Sequence, residues 1–398
     1  MARRPAAAPE APPPEPDRIE GAPHPRRTAR LFGQQAAERA FLDQWRGGRL
    51  PHAWLLGGPR GTGKATLAWR IARALIAQPA PGGLFGGAPE IPDTLDMDPE
   101  NPVFRRVAAL SEGRLKLLRR GWDDRRRRLH TRITAEDARD LRLLFERSAP
   151  DGGWRVAIVD CVDDMTVQAA NALLKLIEEP PERSMFLLVA HAPARVLPTI
   201  RSRCRPLALR PLGEADLLAA VAAAQQAPRA EDRAEDGEEG APPAPPTPEL
   251  AALAEGSAGE ALRLAALDGP ALYAGLVAMA AQAPGMDRAA WAEWMARASG
   301  AAGEARLDAT LRLTEILLAR LARAAASGRA PAPAAAPGEA ALMARLAARP
   351  DQARAWAEAA RSIPARAARA RAVNLDPGGI ILDTFAALDA AAARALAA

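Results

Sequence analysis

One stretch constrains this chain more than any other: Gly58-Pro-Arg-Gly-Thr-Gly-Lys64-Ala65-Thr66. It follows a short apolar run, Trp54–Leu56, and opens a helical pattern from Leu67 to Ile76. Strand, glycine loop and helix in that order are the context a phosphate-binding P-loop needs. Gly58, Gly61 and Gly63, with Thr62 between them, let successive backbone N–H groups converge on phosphate oxygens. The helix N-terminus adds its partial positive charge, and Lys64 is placed to reach the β and γ phosphates. Composition sharpens the reading of Lys64. Of the 53 basic residues all but three are arginine, the lysines being Lys64, Lys116 and Lys175. A chain that writes Arg wherever a point charge suffices keeps lysine for a site-specific need.

The motif is nevertheless damaged. Its last position should carry a hydroxyl that ligates Mg²⁺, and Ala65 stands there. Thr66 comes one residue later, about 100° further round the helix, and is a poor substitute. Val156-Ala-Ile-Val-Asp160 reads as the strand that ends in a Mg²⁺-binding carboxylate. The next position usually holds a glutamate that polarises the attacking water, and here it is Cys161. A small buried side chain at a strand end is the reading preferred for that cysteine. Two hydrolytic functions are therefore missing independently. Binding of ATP or ADP without turnover stays open, because the glycine frame and Lys64 persist.

Several classes of protein are excluded early. Two cysteines, Cys161 and Cys204, make neither a disulfide framework nor a four-thiolate zinc site. No run of about 18 apolar residues marks a membrane-spanning helix. The first 27 residues lack the apolar core of a secretory signal. They are Pro-, Ala- and Arg-rich and read as a disordered tail. The formal net charge of +5 on 398 residues is too small to imply strong autonomous binding of nucleic acid.

From residue 28 to 212, helical patterns alternate with short apolar runs, among them Val156–Val159 and Phe186–Val189. That alternation predicts an α/β layer with a parallel sheet and flanking helices. Residues 79–102 read as an irregular insertion. The basic run at Arg119, Arg120 and Arg125 to Arg128 reads as a solvated face in preference to a phosphate-contacting patch. Residues 225–248, acidic and then proline-rich, predict a flexible loop inside a small helical domain spanning 213–268. Beyond 269 the chain is Ala-rich, with Leu311, Leu313, Ile316, Leu317 and Leu321 on helical spacing. This predicts a larger all-α C-terminal domain, divided by a second Pro/Ala loop at 329–337.

Two further segments carry specific polar residues. Ala170, Leu173, Leu174 and Ile177 form the apolar stripe of a helix that ends at Pro180-Pro181, and Asn171, Lys175, Glu178 and Glu179 lie between them. Downstream, Thr199-Ile-Arg-Ser202-Arg203-Cys204 follows the strand Phe186–Val189. From the residues alone, Arg203 either pairs with a local carboxylate or reaches across a subunit interface to a neighbour's γ-phosphate.

Taken together, NALLKLIEEPP (171–181) and TIRSRC (199–204), in this order after the P-loop and Asp160, resemble the signatures of AAA+ clamp-loader subunits of bacterial DNA polymerase III. Leu31-Phe-Gly-Gln, Arg49-Leu-Pro-His-Ala-Trp-Leu-Leu and Asn374-Leu-Asp-Pro-Gly resemble further elements of that family. The resemblance implies an AAA+ domain, a helical lid and a helical collar used for oligomerisation. It also implies a cytoplasmic, nucleoid-associated chain working within a polymerase holoenzyme, a nucleotidyltransferase complex. Its partners would be gamma/tau and delta subunits and, through the assembly, the sliding clamp and primer–template DNA, with no membrane. Motor subunits keep Ser/Thr and Glu where this chain has Ala65 and Cys161. The chain resembles instead the subunits that pair a degraded ATP site with an intact Ser-Arg-Cys, and Arg203 would then complete a neighbour's site in trans. Gly259 stands where active members often carry Arg, with Arg263 an uncertain substitute. No cysteine lies between Gly58 and Asp160, so the zinc module found in many members is absent or replaced; no metal ligand set and no required cofactor is expected. The alternatives are an active motor-type clamp-loader ATPase with unusual motifs, or a different AAA+ DNA-associated ATPase.

Overall fold

The computed structural model describes residues 15–19, 22–79, 91–146, 152–227, 246–297 and 303–398. Residues 1–14 of the expected tail, 80–90 of the expected insertion and 228–245 of the expected acidic loop lie outside the described residues. The chain divides into two compact units, residues 1–212 and 213–398.

The first unit is built on five strands: β1 (Ala53–Gly57), β2 (Leu115–Arg119), β5 (Arg155–Asp160), β6 (Ser184–Ala190) and β7 (Arg205–Ala208). They pair in the order β2-β5-β6-β1-β7, and every pairing is parallel. A short antiparallel hairpin, β3 (Trp122–Asp123) with β4 (Arg128–Leu129), stands apart from the sheet. Parallel strands need crossover connections, and helices supply them on both faces. Trp54, Leu56, Ile158, Leu187 and Val189 point to the face covered by α1 (Gln35–Arg46) and α2 (Lys64–Ile76). Leu55, Ala157, Val159, Phe186 and Leu188 point to the other, covered by α4 (Ala135–Glu146), α5 (Val167–Glu178) and the short α6 (Pro198–Arg201). The alternation follows the two-residue period of a strand. β6 is buried along its whole length. The edge strands are not: β2 reads Leu-Lys-Leu-Leu-Arg, and β7 carries Pro206, which a central strand does not tolerate. The short α3 (Pro102–Ala108) follows the insertion.

One expectation is corrected. Glu15 to Ile19 and Ala22 to Arg27, read above as disordered tail, pack onto the α/β layer. Two arginines of α2 hold this segment, and both are buried. Arg73 donates to the carbonyls of Arg26 (3.0 Å) and Thr28 (2.8 Å), and Arg70 donates to that of Ala29 (2.9 Å). Arg26 in turn donates to the carbonyl of Ala108 (2.9 Å) and pairs with Glu15 (2.6 Å). Composition made the segment look solvated. Its order comes from partners more than 40 residues away, which composition does not display.

The second unit is all helical: α7 (Glu214–Gln226), α8 (Pro248–Ala254), α9 (Ala258–Ala266), α10 (Gly269–Ala280), α11 (Arg288–Arg297), α12 (Gly303–Ser327), α13 (Glu339–Leu346), α14 (Gln352–Ala372) and α15 (Pro377–Ala397). Leu313, Ile316, Leu317 and Leu321 form the buried stripe of α12. The Asn374–Gly378 element is a helix start: Asp376 accepts from the amide of Gly379 (3.0 Å), with Pro377 at the first helical position. No single helix among the described residues is long and apolar enough to cross a membrane. A buried polar network ties the 329–337 loop to the helices on either side. Glu339 accepts from Tyr273 Oη (2.7 Å), Arg320 Nε (2.6 Å) and the amide of Ala335 (2.6 Å), and Arg320 also donates to the carbonyl of Pro333 (2.8 Å). Removing one partner of such a pair strands the other in a poorly solvated place. Glu339→Ala is therefore expected to destabilise the helical unit by about 3–5 kcal/mol in chemical denaturation. A loss well under about 1 kcal/mol, the range of an exposed pair, would show that the network does not carry this loop.

Candidate functional site

The carboxyl ends of β1, β5 and β6 gather the residues expected to handle phosphate. β1 runs directly into the glycine loop, and the geometry explains its composition. At Gly58, φ is +151°, and a Cβ there would lie 2.3 Å from the carbonyl oxygen of Leu209. No other residue fits. Gly61 and Gly63 also take positive φ, 76° and 91°. Thr62 is buried and donates to the carbonyl of Pro59 (2.9 Å). Gln34, from the Leu31-Phe-Gly-Gln run, is buried behind the loop. Its amide donates to the carbonyls of Thr62 (3.1 Å) and Arg210 (2.7 Å), so it fastens the loop to the end of β7.

Lys64 opens α2 and is 2 % exposed. Its ammonium donates to the carbonyl of Pro59 (2.5 Å), across the loop it belongs to. Burial pulls its pKa down to about 8, against the support of Asp160. Asp160 ends β5. Its enclosure there, and then the nearby charge of Asp17, push its carboxyl up to about 7, while Lys64 pulls the other way. Asp17 comes from the N-terminal segment. Burial opposes its charge, but His24 (3.2 Å) and Arg119 (2.5 Å) more than offset that and hold it below the usual range. The charge held on Asp17 is thus felt by Asp160.

The remaining positions are occupied as follows. Ala65 packs against the sheet core and has no hydroxyl. Thr66 is half-buried at the next position, and no hydrogen bond of its side chain stands among the described residues. Cys161 is buried, and burial, with Asp163 and Asp164 beside it, raises its thiol well above the usual range, so it stays protonated and cannot polarise water. Asp163 has a structural post. It accepts from the amides of His191 (3.1 Å) and Ala192 (3.0 Å) and so fixes the end of β6. The glycine loop, Lys64 and the start of α2 lie together at the carboxyl edge of the sheet, and positions 65 and 161 carry neither a hydroxyl nor a carboxylate.

His191 was not anticipated from sequence. Its ring is pushed down to about 4, by burial and then by the positive charges of Lys64 and Arg60, so it is neutral at pH 7. The only signal for it was a polar residue placed directly after the apolar run Met185–Ala190.

Arg203 lies elsewhere on the unit, just past α6. It pairs with Glu178 Oε1 (2.7 Å) and donates to the carbonyl of Thr199 (3.2 Å), with Ser202 Oγ at 3.4 Å. None of its contacts is to the 58–66 loop. The signature residues of α5 explain themselves by position. Ala170, Leu173 and Ile177 face the core, whereas Asn171, Lys175 and Glu178 fall on one exposed stripe, with Glu179 beside it. Ser202 is exposed with Arg203, and Cys204 is buried beneath them, its thiol pushed up to about 12 by burial. In the helical unit, Gly259 is buried in α9 and Arg263 is tied to Glu260 of the same helix (3.1 Å).

Glycine loop, parallel sheet and strand-end aspartate define a P-loop α/β unit of the AAA+ kind. Residues 33–213 match the family model described as DNA polymerase III, delta subunit. The chain is 34% identical over 169 residues to DNA polymerase III subunit delta' of Pseudomonas aeruginosa, covering 40% of this chain and 43% of that protein. It is 32% identical over 183 residues to subunit gamma/tau of Mycobacterium tuberculosis (44% and 27%) and 29% identical over 164 residues to subunit delta' of Bacillus subtilis (41% and 44%). The α/β unit is therefore similar to clamp-loader subunits of DNA polymerase III, of both the delta' and the gamma/tau type. The chain spans less than half the length of each of these relatives.

The depressed imidazole generates a pH dependence. The unfolded chain takes up a proton on His191 near pH 6.5, whereas the folded chain refuses it until about pH 4. Stability from this residue is full above 6.5 and is lost as pH falls towards 4. In a denaturation series across that window, His191→Asn should reduce the slope of stability against pH by about one proton's worth. Parallel profiles for the two proteins would contradict the assignment.

Proposed function

We propose that this chain is a delta-prime-type subunit of a bacterial DNA polymerase III clamp loader. In this reading it assembles in the cytoplasm with gamma/tau and delta subunits, and the assembly places the sliding clamp on primed DNA. Its own ATP site is silent, and Arg203 acts as an arginine finger on the ATP site of a neighbouring motor subunit. ATP or ADP bound at Gly58–Lys64 would be held without turnover, and no cofactor or zinc is needed. The resemblance of 171–181 and 199–204 to clamp-loader signatures supports the family role, and the delta' relatives support the subunit type.

One contrast carries the reading. The residues that would serve hydrolysis within this chain are replaced, Ala65 for a hydroxyl and Cys161 for a carboxylate, while Arg203 is kept and exposed. An arginine of this kind works by bringing a fixed positive charge to the charge that develops on a transferring phosphoryl group. Its partner here does not prevent that. Arg203 and Glu178 are 42% and 40% exposed, and exposed ion pairs contribute only about 0–1 kcal/mol. Exchanging Glu178 for a phosphate across an interface therefore costs little. A second reading, a motor-type ATPase, draws on the comparable identity to gamma/tau relatives; Ala65 and Cys161 speak against it.

Reconstitution with gamma/tau and delta subunits tests the proposal. Arg203→Ala should cut turnover at the site it faces by about a thousandfold, the lower end for arginine fingers. Assembly, followed by size-exclusion chromatography, should be unchanged. Full turnover with Arg203 removed would take this residue out of the mechanism.

A further inference from the structure

The basic run between Arg119 and Arg132 has no part in the nucleotide site or the finger. It holds seven arginines against Asp123 and Asp124, a local charge equal to the +5 of the whole chain. The structure sorts six of these arginines into two groups, with Arg132 exposed just beyond the hairpin. Those at the base are neutralised by the protein: Arg119 by Asp17 and Glu15 (2.5 and 3.1 Å), and Arg120 more loosely by Asp164 (3.9 Å). Those from Arg125 to Arg128 form the exposed tip of the β3–β4 hairpin. Arg125 and Arg128 make no ion pair among the described residues, and Arg126 has only a distant contact with Asp123 (3.8 Å).

The tip is ordered by its own chemistry. Asp123 Oδ1 accepts from the amides of both Arg125 and Arg126 (3.1 Å each), which pins the turn. Arg127 takes the left-handed conformation, φ +48°, and closes it. The amide of His130 donates to the carbonyl of Gly121 (2.8 Å) at the base. Gly121 fits closely against the start of α4, where a Cβ would lie 3.0 Å from Asp137 Oδ1. Trp122 pairs with Leu129 across the ribbon, and both line one pocket with Leu117 and Leu118 of edge strand β2. The hairpin therefore seats its apolar pair against the body and carries its arginines outward on a short, fixed ribbon.

We propose that the β3–β4 hairpin is a phosphate-backbone contact for duplex DNA, with Arg125 and Arg128 as its principal contacts. Repeating phosphates are the partner that satisfies several exposed guanidinium groups at once without demanding a shaped pocket. Residues 124–128 of the tip include no aromatic side chain on which single-stranded bases could stack, so the contact is with the backbone and is sequence-independent. The choice of DNA over another polyanion rests on the clamp-loader reading. The contact itself does not involve Arg203.

The test measures binding of the full chain to a short fluorescent DNA duplex by anisotropy, in salt from about 50 to 200 mM. Arg125→Ala/Arg128→Ala should weaken binding and lower the slope of log affinity against log salt by about 1.8, or about 0.9 for each lost contact. Arg125→Lys/Arg128→Lys should restore most of both, because a point charge serves a phosphate. All variants should keep the parent's thermal midpoint, since the substituted side chains are exposed. Equal affinity and slope in the parent and the alanine variant would overturn the proposal, as would a parent that does not bind duplex at the lowest salt. Weakened association with partner subunits, with DNA binding unchanged, would assign the hairpin to an acidic protein surface and equally overturn it. Failure of the clamp-loader reading appears separately, as no assembly with gamma/tau and delta subunits, and leaves the anisotropy measurement readable.

Discussion

The backbone at Gly58 passes so close to the carbonyl of Leu209 that no side chain can stand between them. Much of the first unit is arranged around that approach. It requires β1 to lie between β6 and β7 in register, so that Gly57 sits opposite Ala190 and Ala208. It places the glycine loop over the carboxyl edge of the sheet, where Asp160 and His191 also end up. Gln34 secures the loop from behind with hydrogen bonds to Thr62 and Arg210. The place of the loop is a consequence of parallel strands ending together, and ligands of open α/β sheets gather at that edge.

Charge at this edge is balanced mostly by the protein itself. The buried Lys64 ammonium acts on both a strand-end carboxyl raised to about 7 and a neutral imidazole. The N-terminal segment adds Asp17, itself held by His24 and Arg119. In a working hydrolase the metal and the nucleotide supply much of this balance. Here Asp160 meets another carboxylate nearby, and neither Ala65 nor Cys161 offers a ligand or a base. In the proposed reading, the site is kept for its shape within an assembly and the catalytic contribution falls to the exposed Arg203.

Much of this was legible in the sequence because it is local. The strands at 54–56, 156–159 and 186–189 stand out as short apolar runs, and all three are central in the sheet. The glycine loop announces itself by spacing, and the stripe Ala170, Leu173 and Ile177 by helical period. The edge strands were not read: β2 carries Lys116 and Arg119, and β7 carries Pro206, since an edge need not be apolar on both faces. The packing of Glu15 to Ile19 and of Ala22 to Arg27 was missed for a different reason. Its determinants, Arg70, Arg73 and Arg119, lie far along the chain, and an Ala/Pro composition gives no hint of them. His191 escaped notice because its role depends on which charges surround it, a property of the fold alone. The clamp-loader signatures could be recognised in sequence, but their common exposed stripe on α5 and the pairing of Glu178 with Arg203 required coordinates.

The central claim is that this chain keeps the form of a nucleotide site without its turnover. Phosphate release by the isolated full chain, with saturating ATP, Mg²⁺ and primed DNA, tests it most directly. The account predicts no release above background, with or without DNA, because neither a hydroxyl at position 65 nor a carboxylate at position 161 is present. Robust turnover stimulated by DNA would contradict it and return the chain to the motor subunits.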